Sequence, residues 1–242
     1  MAGQKAPAKT EKSEVAAQRS SRAEIDAFLE DVRALKPTGD GHGRLIFAMD
    51  ATMSRQPSWD LALELQADMF KAVKEVGGLD VQLVYFRGFN ECQASKWVSD
   101  PEALARLMRK VNCEGGYTQI RKVLAHARRE NAASRVNALV YVGDCMEENV
   151  DELAQLGGEL GLVGVPVFLF QEGRDPKAER AFREIARLSR GAYCPFDAGS
   201  ARQLRELLTA VAVYATGGRK ALKDFSSETK SGAAMRLLEQ LG

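Results

Sequence analysis

At 242 residues the chain is long enough for one large α/β domain, and its 45% apolar content supplies a core without a membrane-spanning run. Lysine and arginine (34) nearly cancel aspartate and glutamate (33), leaving +1, so no global field directs the chain to nucleic acid or an anionic membrane. Cys92, Cys113, Cys145 and Cys194 fall at wide intervals with no CxxC pair, which argues for reduced thiols rather than a disulfide frame or a zinc site. With no apolar h-region in the first residues, a cytoplasmic location is expected.

Residues 1–21 are polar and aperiodic and read as disordered. "SSRAEIDAFLEDVRAL" then offers a serine cap and an apolar face of Ile25, Phe28, Leu29 and Val32, a leading helix over about 22–35. "KPTGDGHG" breaks it; the glycines precede a strand instead of following one, the wrong context for a dinucleotide fingerprint. Apolar, β-branched runs predict strands at 44–49, 80–86, 137–143, 165–170 and 191–196, and "CQASKWVSD" an antiparallel edge hairpin. Pro57 suits the first turn of a helix whose buried stripe is Ala62, Leu65, Met69, Val73 and Val76. A second helix carries Ile120, Val123, Leu124 and Ala127, and a third, 149–162, contains Gly157, Gly158 and Gly161. Two more bury Phe182 with Ile185, and Leu204 with Leu208 and Val211. Both histidines, His42 in its Gly-rich loop and His126 off its helix's apolar stripe, read as solvent-facing.

The alternation predicts a Rossmann-like, doubly wound α/β fold: a mostly parallel six-stranded sheet, one antiparallel edge strand, and helices on both faces. After residue 217 the chain turns polar, so 218–242 reads as a flexible tail ending in a short amphipathic helix with Ala234, Leu238 and Leu241 on one face. That helix either lies in a partner's groove or folds back onto its own domain.

The chemistry sits at one edge of the predicted sheet. The first strand ends in Asp50, with hydroxyls at Thr52 and Ser54, and "NALVYVGDCMEE" ends a second apolar strand in Asp144. In a doubly wound sheet those two strands are neighbours and the crevice opens between them. "EGGYTQIRKVL" places Thr118 above the same edge. Two carboxylates and three hydroxyls make an all-oxygen set, suited to a hard divalent cation, magnesium first, with manganese or calcium possible. Singly, each residue is as easily a cap or turn former; it is their coincidence at one crevice that points to a metal.

On these segments the chain resembles the von Willebrand factor A (VWA) family, over roughly residues 43–216, and the cluster is similar to that family's metal-ion-dependent adhesion site (MIDAS). The family pattern is Asp-x-Ser-x-Ser, a later threonine and a later aspartate; Asp50, Ser54, Thr118 and Asp144 match it, and Thr52 stands where serine is usual. The resemblance implies a VWA domain over 22–217. In it, a bound ion keeps an open position for an Asp or Glu of a partner protein. It also implies an adaptor of the bacterial cytosolic type, sometimes beside AAA-type ATPases. Arg55, Arg87 and Arg121, close in sequence to the same edge, would add anion attraction.

Two other readings compete. Asp50 would serve as the nucleophile of a haloacid-dehalogenase-like, magnesium-dependent phosphatase, but such enzymes carry a second carboxylate two residues on, where this chain has Thr52. A purely structural domain without metal is the other. No hydrolase activity is expected.

Overall fold

The computed structural model describes residues 42–74, 76–197 and 199–241; the polar segment 1–21 and the expected helix at about 22–35 lie outside them. In chain order the strands are β1 (His42–Asp50), β2 (Gly78–Arg87), β3 (Glu91–Ala94), β4 (Ala138–Gly143), β5 (Val167–Glu172) and β6 (Ala192–Phe196). They form one sheet in the order β3-β2-β1-β4-β5-β6. Every pair is parallel except β2 with β3. The helices are α1 (Gln56–Val73), α2 (Pro101–Met108), α3 (Ile120–Ala133), α4 (Val150–Leu162), α5 (Pro176–Ser189), α6 (Ala201–Thr229) and α7 (Gly232–Gln240).

The near-continuous apolar strands follow from this arrangement, since a parallel sheet buried on both faces has no solvent side for polar residues. Every residue of β4 and β5 is buried. On one face Leu45, Phe47 and Met49 of β1 meet Trp59, Leu65 and Met69 of α1, Leu104 and Met108 of α2, and Leu204, Leu208 and Val211 of α6. On the other, Ile46 and Ala48 meet Ile120, Val123 and Leu124 of α3, Leu153 and Leu160 of α4, and Phe182 and Ile185 of α5. The α1 stripe is buried through Val73, but Val76, expected to continue it, is 42% exposed because the helix has already ended. The glycines of α4 have a packing reason. A Cβ on Gly161 would stand 2.2 Å from the Leu188 carbonyl oxygen, so its absence lets α5 approach.

The C-terminal region departs from the sequence reading. Residues 218–229, expected as flexible linker, continue α6 beyond a kink at Gly218, whose φ of 68° and ψ of −163° favour glycine. Beyond the kink Leu222 is fully buried, with Ala221 and Phe225 packed beside it, a helical spacing hidden among lysines and serines. Helix α7 then folds back, placing Ala233, Ala234, Leu237 and Leu241 in the same core, with Leu238 half-buried against it. Its folding partner is thus its own domain. Gln240 also bonds the sheet's last strand: Tyr193 N–H donates to its Oε1 and its Nε2 donates to the Tyr193 carbonyl, both at 2.9 Å.

Candidate metal centre

β1 and β4 are central neighbours, with Met49 opposite Val142, so Asp50 and Asp144 emerge at the same carboxyl edge of the sheet. Asp50 is fully buried. Its Oδ1 accepts the Thr52 N–H at 2.7 Å, the turn-forming role open to any Asp at a strand end. Among the described residues its Oδ2 has no hydrogen-bond partner, and neither does Asp144 Oδ1. Thr52 Oγ1 lies 3.5 Å from Ser54 Oγ, so the two hydroxyls stand together just after Asp50 in the chain.

The loop before α3 is fixed above the same edge: Glu114 N–H donates to the Ala51 carbonyl at 3.0 Å and Tyr117 N–H to the Gly88 carbonyl at 3.1 Å. Thr118, at the end of this loop, engages neither aspartate directly. Its hydroxyl donates to Glu147 Oε2 at 2.7 Å and accepts the Glu147 N–H at 3.3 Å, which ties it to the loop that carries Asp144. One lone pair of the hydroxyl is left.

Arg55, read from sequence as a surface anion attractor, is buried at 3% exposure. Its Nη1 lies 3.6 Å from Asp144 Oδ2, and its Nη2 stands against Glu172 Oε2 as an ion pair not aligned as a hydrogen bond. The start of α1 turns it inward toward these acids. Arg87 is tied to Glu91, Glu114 and the Asn112 carbonyl, and Arg121, half-exposed, lies 3.7 Å from Glu152. The histidines are engaged elsewhere: His42 opens β1 beside Asp80, and half-buried His126 bonds Gln82 at 2.8 Å.

Sequence reasoning missed Glu172 and Tyr141. Glu172 ends β5 as Asp50 ends β1, a carboxylate closing an apolar run, and that signal was present. Tyr141 lies within β4, fully buried, and its hydroxyl lacks a hydrogen-bond partner among the described residues.

The electrostatics agree with the geometry. Burial pushes the Asp50 carboxyl up to about 6, Asp144 adding to the rise against the Thr52 hydrogen bonds and Arg55. Burial, then Asp50, pushes the Cys113 thiol up to about 11, and burial, then Asp144, pushes Cys145 up to about 12. Of the six buried side-chain nitrogens or oxygens without a hydrogen-bond partner among the described residues, five belong to Asp50, Arg55, Tyr141 and Asp144. Native interiors satisfy most such atoms, so this concentration at one edge marks capacity for something further.

Among the described residues no group of three or more His, Cys, Asp or Glu side chains gathers as a metal site. The fit therefore rests on two carboxylates plus hydroxyls. Two buried carboxylate oxygens without partners among the described residues, and two alcohols that follow Asp50 in the chain, are of the chemical type that magnesium, manganese or calcium prefers.

No protein-family model matches the chain, and no curated protein matches it in sequence. Solved structures do. The SpRpn10 VWA domain superposes with a TM-score of 0.53 at 13% identity, over 70% of this chain and 94% of that one. Proximal thread matrix protein 1 from the mussel byssus, solved with a zinc-occupied MIDAS motif, gives 0.56 at 18% identity, over 80% of this chain and 52% of its own. An aerotolerance-related membrane protein from Bacteroides fragilis NCTC 9343 gives 0.50 at 18%, over 67% and 95%. The fold is thus VWA-like, an α/β sheet with helices on both faces. Among the described residues no helix is long and apolar enough to cross a membrane.

Proposed function

We propose that this domain is a divalent-cation-dependent protein-interaction module, an adaptor that takes an Asp or Glu side chain of a partner protein. The observation that carries the reading is the pair of buried carboxylate oxygens without partners, Asp50 Oδ2 and Asp144 Oδ1, at the edge where β1 and β4 meet. Asp50, Thr52, Ser54, Thr118 and Asp144 would hold the ion, magnesium first. The VWA-like fold and the zinc in the mussel neighbour's MIDAS support a divalent ion in this position.

When bound, the ion supplies a desolvated positive charge with an open coordination position. The chain's own residues do the rest: Asp50 and Asp144 bring two negative charges, and the Thr52 N–H fixes the Asp50 carboxylate. Two aspartates and one divalent ion leave little net charge, so recognition is by coordination and is lost to chelators. The family resemblance supports a cytosolic setting, such domains sometimes acting beside AAA-type ATPases.

The module is proposed as non-enzymatic. Thr52 occupies the place of a phosphatase's second carboxylate, and the nearest hydrogen-bond partners of His42 and His126 are Asp80 and Gln82. Turnover of a generic phosphate ester with magnesium, abolished by Asp50→Asn, would overturn that part. The main test is a pull-down from lysate with and without chelator, beside calorimetric titration of magnesium. Partners retained equally with chelator, or no heat of magnesium binding, would refute the module.

A further inference from the structure

We infer that Glu172 and Arg55 form an affinity-setting pair behind the cation site: Glu172 holds the Arg55 guanidinium so that Asp144 keeps its charge for the ion. This rests on the metal reading above and names two residues outside its ligand set.

Arg55 is 3% exposed and Glu172 8%, so each needs a partner within the protein. The Glu172 carboxylate is held from three elements. It ends β5, its Oε2 accepts the Ser58 hydroxyl from the first turn of α1, and its Oε1 accepts the Gly199 N–H at 3.1 Å from the loop before α6. Held so, it lies against Arg55 Nη2. The other end of the guanidinium reaches toward Asp144, but 3.6 Å is a charge contact and not a hydrogen bond. That contact is to Asp144 Oδ2; the other oxygen, Oδ1, has no hydrogen-bond partner among the described residues.

The charges decide the consequence. Arg55 and Glu172 cancel, leaving Asp50 and Asp144 to present two negative charges, the match for a divalent ion. Without the Glu172 charge, Arg55 faces only the aspartates and neutralises one of them. Without Arg55, a third negative charge faces the site. Glu172 and Arg55 should therefore shift cation affinity in opposite directions although neither is placed as a ligand.

The test is the manganese affinity of the full chain, read by electron paramagnetic resonance of free Mn2+ at pH 7.5, with circular dichroism to establish the native fold. Glu172→Gln keeps hydrogen-bonding atoms for Ser58 and Gly199; it should weaken binding about tenfold or more, a shift of the size expected for one partly screened charge. Arg55→Gln should tighten binding, and the double variant Arg55→Gln/Glu172→Gln should return to within about threefold of wild type. If either single variant does not fold, the other still carries the sign of its effect. Affinity unmoved by a folded single variant, or a double variant as weak as Glu172→Gln, overturns the pair's role and leaves the metal reading standing. A wild-type chain that takes up no manganese overturns the metal reading and this inference together.

Discussion

Four carboxylates stand at the carboxyl end of β1 and in the loop after β4, and they divide into two kinds. Glu147 and Glu148 spend their oxygens on protein. Glu147 Oε2 accepts the Thr118 N–H and hydroxyl at 3.1 and 2.7 Å, and Glu148 accepts the Ile120 and Arg121 N–H groups at 2.5 and 3.0 Å. Asp50 and Asp144 each keep one buried oxygen without a hydrogen-bond partner among the described residues. The glutamates explain how the loop before α3 is fastened and how α3 is capped from another segment, since its own N-cap residue, Gln119, makes no side-chain cap. The aspartates explain nothing structural with their second oxygens. In one small region, satisfied carboxylates mark architecture, and the unsatisfied ones are those on which the proposed cation site rests.

The largest effect should come from the aspartates. Asp144→Asn or Asp50→Asn is expected to weaken manganese or magnesium binding more than about a hundredfold, measured by calorimetry, because each removes half of the site's anionic charge. Binding retained within tenfold would erase the distinction between the two kinds of carboxylate. Asp50→Asn should also stabilise the metal-free protein, by ~1–3 kcal/mol at pH 8, because the raised pKa measures the cost of ionising this buried group. The sign follows from the shift. With Asp50 at about 6 in the folded state against an ordinary 3.8, the native chain binds the proton more tightly than the unfolded one. Metal-free wild type therefore loses stability as pH rises through about 4 to 6, and the gap to Asp50→Asn closes below pH 4. Denaturant unfolding in EDTA across that range checks it; a gap independent of pH would contradict the assignment.

A control away from the edge comes next. Leu237→Ala in α7 removes a fully buried side chain and should cost about 2–4 kcal/mol in urea unfolding, with manganese affinity unchanged. A loss of affinity of similar size would mean that the cation site senses global stability rather than its own charges. Glu148→Ala is smaller still. It removes the cap of α3 and should cost about 1–2 kcal/mol while affinity stays within about threefold, so a collapse of binding would move Glu148 into the second class. Thr52→Ser, which restores the serine of the motif, should change affinity least, within about threefold in the same titration, because the coordinating oxygen is kept.

The strand ends were legible because an apolar run closed by an acid is a strong local signal, and together with the expected strand order it put Asp50 and Asp144 at one edge, where they are found. The burial of Arg55 was not. It follows Ser54 in a polar turn, and only the packing of α1 across the sheet to β5 turns it toward Glu172, a contact between residues far apart in the chain. Thr118 was placed at the right edge, but its tie to Glu147 depends on a loop geometry that spacing does not encode. The short last helix was legible, but the segment 218–229 before it was not: its polar composition read as a flexible linker, whereas a single positive-φ glycine bends α6 without ending it. The apolar positions Leu222 and Phe225 beyond it were too sparse among charges to register as a face.

The carboxamide of Gln240 has a consequence for the company the protein keeps with copies of itself. β6 is the outer strand of the sheet, and an outer strand offers free backbone groups to any other extended chain. At Tyr193 both groups are already taken, because the Gln240 side chain imitates one residue of a neighbouring strand, donating and accepting as a backbone amide would. Pro195, on the same outward side two residues along, has no N–H to give. The last helix thus seals a margin along which sheets of separate molecules would otherwise join and aggregate.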